Sequence, residues 1–117
     1  FIKFKSNKYD IVTNTMPKTY PKGLSCEIIK FSTFKENYKL FKKNKGDKEH
    51  IMDYFYRNEK DFKIKNFKSN LKPKEKKLSL ALDNKNDLKK INMCLKELNY
   101  DPYISTKKII KFYTDNF

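Results

Sequence analysis

Short apolar runs alternate with amphipathic stretches along the chain, and this alternation predicts its secondary structure. Residues 11–13 and 26–29 are apolar runs of strand length, and residues 62–67 alternate apolar and polar side chains as a half-exposed strand does. Residues 78–82 are more uniformly apolar, which favours a buried strand. Strands interleaved with helical patterns are typical of an α/β fold, and this is the fold class that we predict.

Four stretches carry apolar side chains at helical spacing. We expect the first helix to begin at Ser32 and to end at Gly46, with Asp47 as the N-cap of the second. Asn84 and Ser105 are the expected N-caps of the third and fourth helices because short polar side chains of this kind accept hydrogen bonds from the first helical turn.

The turn before the second apolar run contains one of the two glycines and one of the four prolines of the chain. Pro21 fixes its own φ angle, and Gly23 permits backbone angles that other residues avoid. The run that follows carries Glu27, so a shaped loop leads directly into a strand with a carboxylate. Pro-Lys-Gly is also an ordinary turn sequence, so a purely structural role for this loop stays open.

The formal net charge of +14 is typical of a domain that binds nucleic acid. All but one of the 28 basic residues are lysine, however, and the exception is Arg57. Base edges and phosphates are read most specifically by the planar fork of arginine, and the lysines are scattered, with the densest group at residues 72–77 in an expected loop. We therefore expect nonspecific attraction to phosphates and anionic sugars rather than specific binding of nucleic acid.

Length and composition exclude several classes of protein. A chain of 117 residues with 38% hydrophobic content has room for one domain, and no apolar run approaches the roughly 20 residues of a membrane span, so we expect a cytoplasmic protein. Cys26 and Cys94 share no metal-ligand spacing and lie in apolar contexts, which predicts buried free thiols. His50 is the only histidine, and the two glycines are too far apart for a phosphate-binding loop.

Two positions have side chains suited to chemistry. Asp83 follows a predicted buried strand and precedes a predicted helix, which is where open α/β sheets place ligand groups, although it would equally serve as a helix cap. Glu49 and His50, with Asp53 nearby, could activate a nucleophile. On a helix these three residues more commonly form a solvated face.

Four segments of the chain follow one another in the order of known family motifs. Residues 9–14 (YDIVTN), 19–29 (TYPKGLSCEII), 49–58 (EHIMDYFYRN) and 82–88 (LDNKNDL) are similar to the motifs D-Y-V-S-N, T-Y-P-x-G-L-D-x-E-V, E-H-V-T-P-Y-x-Y-x-N and V-D-x-P-E-D-L. The chain thereby resembles the cytidylyltransferase-like family that includes the spore coat polysaccharide biosynthesis protein F group and is related to the CMP-Kdo and acylneuraminate cytidylyltransferases. Ser25 stands where the family has aspartate, so the motifs do not identify the sugar.

The resemblance implies a Rossmann-like, GT-A type fold of the nucleotide-diphospho-sugar transferases, of which residues 1–117 are expected to form the C-terminal half as one partial domain. It also implies transfer of a cytidylyl group from CTP to a sugar acid for surface polysaccharide biosynthesis, and a homodimer. The family's N-terminal nucleotide-binding half has no counterpart in this chain, so we expect no activity from this portion alone. By resemblance, Asp83 is a Mg²⁺ ligand, and the sugar pocket is formed by the following residues: Tyr20, Gly23, Glu27, Glu49 and His50.

A second hypothesis comes from a different class of protein. A small basic module without catalytic activity, binding nucleic acid or an anionic surface, would account for the charge equally well. Coding sequence upstream of Phe1 discriminates between the two, because only the first hypothesis expects a nucleotide-binding segment there.

Overall fold

The computed structural model describes residues 8–117, and these form a mixed α/β structure with two compact units. Unit 1 consists of residues 8–17 and Cys26–Phe67, and unit 2 consists of Lys18–Ser25 and Lys68–Phe117. The α/β fold class is confirmed. The expectation of one partial domain completed by an upstream half stays a prediction.

Unit 1 contains a sheet of three strands in the order β2-β1-β3. The strands are β1 (Ile11–Thr13), β2 (Glu27–Ile29) and β3 (Ile64–Asn66). Strand β1 is antiparallel to β2 and parallel to β3, and Ile11 is in register with residues of both neighbours. The three strands lie within predicted apolar or alternating runs, so these predictions are confirmed, β1 with the predicted bounds and β2 and β3 with shorter ones.

The helices of unit 1 follow the second and precede the third strand. They are α1 (Phe31–Phe41), α2 (Lys45–Glu49), α3 (Ile51–Arg57) and a 3-10 helix (Glu59–Asp61). The predicted roles of Gly46 and Asp47 are wrong, because the Asn44 side chain caps α2 by accepting a hydrogen bond from the Gly46 amide at 2.9 Å. Asp47 lies inside α2 and is only 4% exposed, and its carboxylate receives two hydrogen bonds from Arg57, at 2.6 and 2.8 Å.

The core of unit 1 is largely aromatic. Ile11, Phe41 and Phe55 are buried at its centre, and the ring of Phe55 lies 5.8 Å from that of Phe41 and 5.1 Å from that of Phe62. Burial of one such side chain contributes about 1.5–3 kcal/mol. The edge-to-face ring geometry adds to this, and the packing fixes α1 and α3 relative to the sheet.

Unit 2 is built from three helices and a turn that precedes them in sequence. The helices are α4 (Pro73–Lys76), α5 (Lys85–Glu97) and α6 (Thr106–Asn116). Asn84 accepts hydrogen bonds from the first turn of α5, and Ser105 accepts one from the Lys108 amide of α6, so both predicted N-caps are confirmed. The stretch at residues 72–77, predicted as a loop, contains the short helix α4.

The predicted strand at residues 78–82 is wrong. Lys22 pairs with this segment through two backbone hydrogen bonds, to Leu78 at 3.1 Å and from Leu80 at 2.8 Å, and these form a single isolated bridge. The chain then turns away at Gly23, whose φ is +94°, so the bridge cannot extend into a ladder. Leu82 is consequently 58% exposed.

The two thiols lie in different environments. Cys94 is buried in α5, as predicted, but Cys26 is exposed and free, so the prediction of burial is wrong for it. Cys26 immediately precedes β2, an edge strand of the sheet, and this explains its exposure. None of the helices within residues 8–117 is long and apolar enough to cross a membrane.

Candidate functional site

The candidate site lies in unit 1, at the carboxyl ends of β1 and β3. Thr13 is the last residue of β1, and it is in register with Asn66, the last residue of the parallel strand β3. On its other side Thr13 is in register with Glu27, the first residue of β2. Ligands of α/β sheets bind beyond the carboxyl ends of parallel strands, and this edge of the sheet carries a carboxylate, an amide and a hydroxyl.

A cluster of hydroxyl groups surrounds the carboxylate of Glu27. The Tyr56 hydroxyl, from α3, donates a short hydrogen bond to Oε1 of Glu27, and the Thr15 hydroxyl donates to the same oxygen at 3.2 Å. Oγ1 of Thr13 lies 3.0 Å from the Tyr56 oxygen and 2.7 Å from Oγ1 of Thr15. We call these four residues the Glu27 cluster.

The electrostatics of the cluster keep Tyr56 a hydrogen-bond donor. Partial burial raises the pKa of Tyr56, and its hydrogen bond to Glu27 raises the pKa further. The phenol is therefore protonated over the physiological range. Both hydroxyl groups are directed to Oε1 of Glu27, and no other described residue donates to Oε2, so this exposed carboxylate can accept a hydrogen bond from a ligand hydroxyl.

Two asparagines order the chain beside the cluster. Oδ1 of Asn66 accepts from the Met16 amide at 3.0 Å, and Oδ1 of Asn14 accepts from the Cys26 amide at 2.8 Å. Both bonds link strand ends to the backbone next to Thr15 or Glu27. The side chains of the cluster are thus mounted on backbone that is fixed at both ends, which favours a preorganised site.

Glu49 and His50 are also in unit 1, but they are not part of the Glu27 cluster. Glu49 is the last residue of α2, and His50 is the junction between α2 and α3; both are exposed. The backbone of His50 donates to Gly46 at 2.9 Å and accepts from Asp53 at 3.0 Å. No hydrogen bond or ion pair of residues 8–117 connects either side chain to Glu27, and the predicted roles of both in the sugar pocket stay predictions.

The other three predicted site residues are in unit 2. Tyr20 lines an open cleft of about 760 Å³ together with Ser69, Lys72 and Thr106. Gly23 makes the positive-φ turn and packs closely, since a Cβ atom there would lie 2.7 Å from the carbonyl carbon of Leu80. Gly23 therefore has a structural function that its predicted role in a sugar pocket did not include.

Asp83 immediately precedes α5, as predicted, but it does not end a strand, and its side chain is exposed. Nζ of Lys22 lies 2.6 Å from Oδ2 of Asp83. The neighbouring carboxylate of Asp87 is turned to the backbone, where it accepts from the amides of Asp83 and Asn84, both at 3.1 Å. The Asp83 carboxylate thus already has a cationic partner.

At this position the protein offers Mg²⁺ a single carboxylate ligand, that of Asp83. In the part of the chain that the structure describes, no group of three or more His, Cys, Asp or Glu side chains could hold a metal ion. Mg²⁺ accepts a single protein carboxylate when phosphate oxygens and water supply its other ligands. A magnesium role for Asp83 therefore requires a phosphate-bearing substrate and displacement of the Lys22 ammonium group, and it stays a prediction.

Sequence reasoning assigned no role to the three hydroxyl residues of the Glu27 cluster. Thr13 ends an apolar run, and Thr15 lies two residues beyond it. Tyr56 lies on a helix whose apolar face dominates its pattern. A polar residue at the end of each of the two parallel strands, Thr13 and Asn66, is the signal that could have located the site, because it marks the strand ends. The contact between Tyr56 and Glu27 joins residues far apart in sequence, and no local pattern predicts it.

Comparison of the chain with family models, with curated proteins and with solved structures finds no match.

Proposed function

We propose that the chain is the sugar-binding portion of a sugar nucleotidyltransferase of the cytidylyltransferase-like type, which activates a sugar acid with CTP. The observation that carries the proposal is the exposed carboxylate of Glu27, held by Tyr56 and Thr15 at the carboxyl ends of two parallel strands. Glu27 is also one of the five residues that the motif resemblance assigns to the sugar pocket. In this proposal the three-stranded sheet belongs to a larger GT-A type sheet whose nucleotide-binding half is upstream.

The Glu27 cluster has the chemistry that a polyhydroxylated ligand requires. A carboxylate accepts hydrogen bonds from hydroxyl groups, and a threonine hydroxyl both donates and accepts. Two hydrogen bonds fix one carboxylate oxygen of Glu27, which leaves the second available to accept a hydrogen bond from a ligand. Cytidylyl transfer depends on holding the attacking sugar oxygen in line with the nucleotide phosphate, and this positioning is the contribution of the cluster. Magnesium at Asp83, when bound, would neutralise charge on the phosphates.

The positive net charge supports a second candidate function. Lys72, Lys74, Lys76 and Lys77 are exposed on α4 and beside it, and they would attract any polyanion. A basic module that binds nucleic acid is therefore the alternative. The Glu27 cluster favours the first proposal, since its carboxylate and hydroxyl groups match the hydroxyl groups of a sugar, whereas the lysines of the alternative belong to unit 2 and make no use of the cluster.

A binding experiment on the full chain tests the proposal. Kdo, N-acetylneuraminate and a neutral hexose are titrated into ¹⁵N-labelled protein, up to about 20 mM because single-sugar contacts give millimolar affinity. We expect amide shifts at Thr13, Thr15, Glu27 and Tyr56 with at least one sugar acid. Glu27→Gln should weaken binding about tenfold, the consequence of losing a hydrogen bond to a charged acceptor.

Glu59→Gln is the matched control, because Glu59 is an exposed glutamate in the 3-10 helix of the same unit. It removes the same charge and should leave sugar affinity unchanged. Shifts that appear only at lysines, are equal for all anions and disappear with salt would contradict the proposal. Tighter binding of a mixed-sequence oligonucleotide with a steep salt dependence would support the basic module instead.

A further inference from the structure

Unit 2 contains a partly enclosed apolar cavity of about 220 Å³. Helices α5 and α6 form two of its sides, and the loop between them, the Gly23 turn and Leu80 form the rest. Its principal lining residues are Ile91, Cys94, Leu98, Ile104, Ile109 and Tyr113. The cavity is distinct from the Glu27 cluster, whose residues all belong to unit 1.

Two of the polar lining groups, those of Cys94 and Tyr113, are uncharged, and the lining also includes Asp101, whose Oδ1 accepts a hydrogen bond from the Tyr103 amide at 2.8 Å. Burial raises the pKa of the Cys94 thiol and of the Tyr113 phenol, so both stay protonated at neutral pH. A buried thiol behaves as a small apolar group and contacts aromatic rings favourably. The cavity is thus suited to a mainly apolar ligand without negative charge.

Tyr113 supplies the second observation, because its hydroxyl is unpaired. The side chain is only 4% exposed, and within residues 8–117 its hydroxyl makes no hydrogen bond. Among the described residues the fully buried unpaired side-chain oxygen is Oγ1 of Thr114, so the Tyr113 hydroxyl keeps some accessible surface and can pair with a molecule bound in the cavity. Its phenol ring is held in place by the rings of Phe112 and Phe117, at 6.0 and 5.4 Å.

We propose that this cavity binds one small aromatic molecule that carries a single hydrogen-bonding group, such as a phenol or an indole, and that the Tyr113 hydroxyl anchors that group. An apolar cavity of about 150 Å³ is enough to bind benzene. The cavity of about 220 Å³ therefore accommodates a substituted or fused ring. A helix or a strand from another protein is too large for this space, which distinguishes the cavity from an interaction surface.

A pair of matched ligands tests whether the Tyr113 hydroxyl binds the polar group of the ligand. Phenol and toluene have nearly the same shape, and they differ in the hydroxyl group that Tyr113 would bind. Both are titrated into the full chain and into Tyr113→Phe, and the amide signals of Cys94, Ile104 and Ile109 are followed by NMR. We expect Tyr113→Phe to weaken phenol about fivefold, as the loss of one neutral hydrogen bond does, and to leave toluene within about twofold.

Filling the cavity tests its location. Cys94→Leu adds volume inside the cavity and should abolish binding of both ligands, whereas Met93→Leu, a change at an exposed neighbour outside the lining, should leave binding intact. If Cys94→Leu does not fold, Leu95→Phe replaces it, because Leu95 lines the cavity at a partly exposed position. Absence of cavity shifts up to about 10 mM phenol would overturn the proposal. Equal weakening of phenol and toluene by Tyr113→Phe would also overturn it.

Discussion

Nζ of Lys22 and Oδ2 of Asp83 are 2.6 Å apart, and this ion pair connects the turn of unit 2 to the start of α5. The hydrogen bond to Asp83 and the charge of its carboxylate raise the pKa of Lys22. The lysine is therefore protonated wherever Mg²⁺ would bind. A metal ion at Asp83 competes with a cation of the protein itself.

Replacement of Lys22 should show whether its ammonium group competes with a metal ion for the Asp83 carboxylate. Lys22→Gln is expected to strengthen divalent-metal binding at Asp83 about two- to fivefold, the range of an exposed ion pair. Paramagnetic broadening by Mn²⁺ of the amide signals at residues 83–87 measures it. Lys111→Gln is the control, because Lys111 forms a comparable exposed pair with Asp115. Broadening that persists unchanged in Asp83→Asn would rule out Asp83 as the ligand.

The two aspartates at the start of α5 should differ in their effect on stability. Asp87 accepts from the amides of Asp83 and Asn84, so Asp87→Ala should lower the free energy of unfolding by about 1 kcal/mol through loss of the capping box. Asp83→Ala removes only an exposed ion pair and should change it by less than about 0.5 kcal/mol. Urea denaturation of both variants gives the comparison, and a larger loss in Asp83→Ala would contradict it.

Gly23 should not tolerate a side chain. Its φ is +94°, and a Cβ atom would lie 2.7 Å from the Leu80 backbone, so Gly23→Ala should cost about 2 kcal/mol or more. Gly46→Ala is the control, since Gly46 lies within α2 at an ordinary φ and the gain in helix propensity offsets the close contact with the Asn44 side chain. Thermal melts of the two variants test this expectation, and equal melting temperatures would refute it.

The pKa of Tyr56 makes stability depend on alkaline pH. Because folding raises this pKa, the stabilisation is complete below the pKa of an unfolded tyrosine, about 10, and is lost as pH rises through the folded value. Tyr56→Phe should lower the unfolding free energy by about 1 kcal/mol at about pH 8 by removing the bond to Glu27. The difference from the wild type should shrink at about pH 11.

Tyr113→Phe provides a comparison for this pH dependence, because burial raises the pKa of Tyr113 without a hydrogen bond to a carboxylate. Denaturant unfolding of both variants at both pH values shows how much of the pH dependence of stability comes from Tyr56 and how much from Tyr113. If Tyr56→Phe lowers the free energy of unfolding by the same amount at both pH values, the raised pKa of Tyr56 does not contribute to stability as expected.

Local signals in the sequence predicted the parts of the fold that depend on neighbouring residues. Asn84 and Ser105 cap their helices as expected, since a cap depends on the two or three residues that follow it. The segment at residues 78–82 has the composition of a strand, but strand formation needs a partner, and the turn at Gly23 removes that partner after one pair. Composition could not predict this outcome.

In the candidate site, too, local sequence signals predicted some features, whereas contacts between distant residues were not predictable. The motif resemblance selected Glu27, and the structure places it in a polar cluster at the sheet edge. Tyr56 reaches Glu27 through the packing of α3 against the sheet, which depends on Phe55 and the aromatic core rather than on any local pattern. For Asp83 the prediction from the sequence was correct only in part. Asp83 lies before a helix, as predicted, but no strand ends there.

The two units are interleaved along the chain, and this limits how the protein can be dissected. The polypeptide passes from one unit to the other after Pro17, after Ser25 and after Phe67, so the Gly23 turn of unit 2 is inserted between β1 and β2 of unit 1. A truncation after Phe67 would keep the turn and discard Leu80, against which Gly23 packs. A continuous polypeptide that ends at Phe67 still contains unit 1, with the inserted turn as a loop, whereas unit 2 can be isolated intact only from a rearranged or two-piece polypeptide.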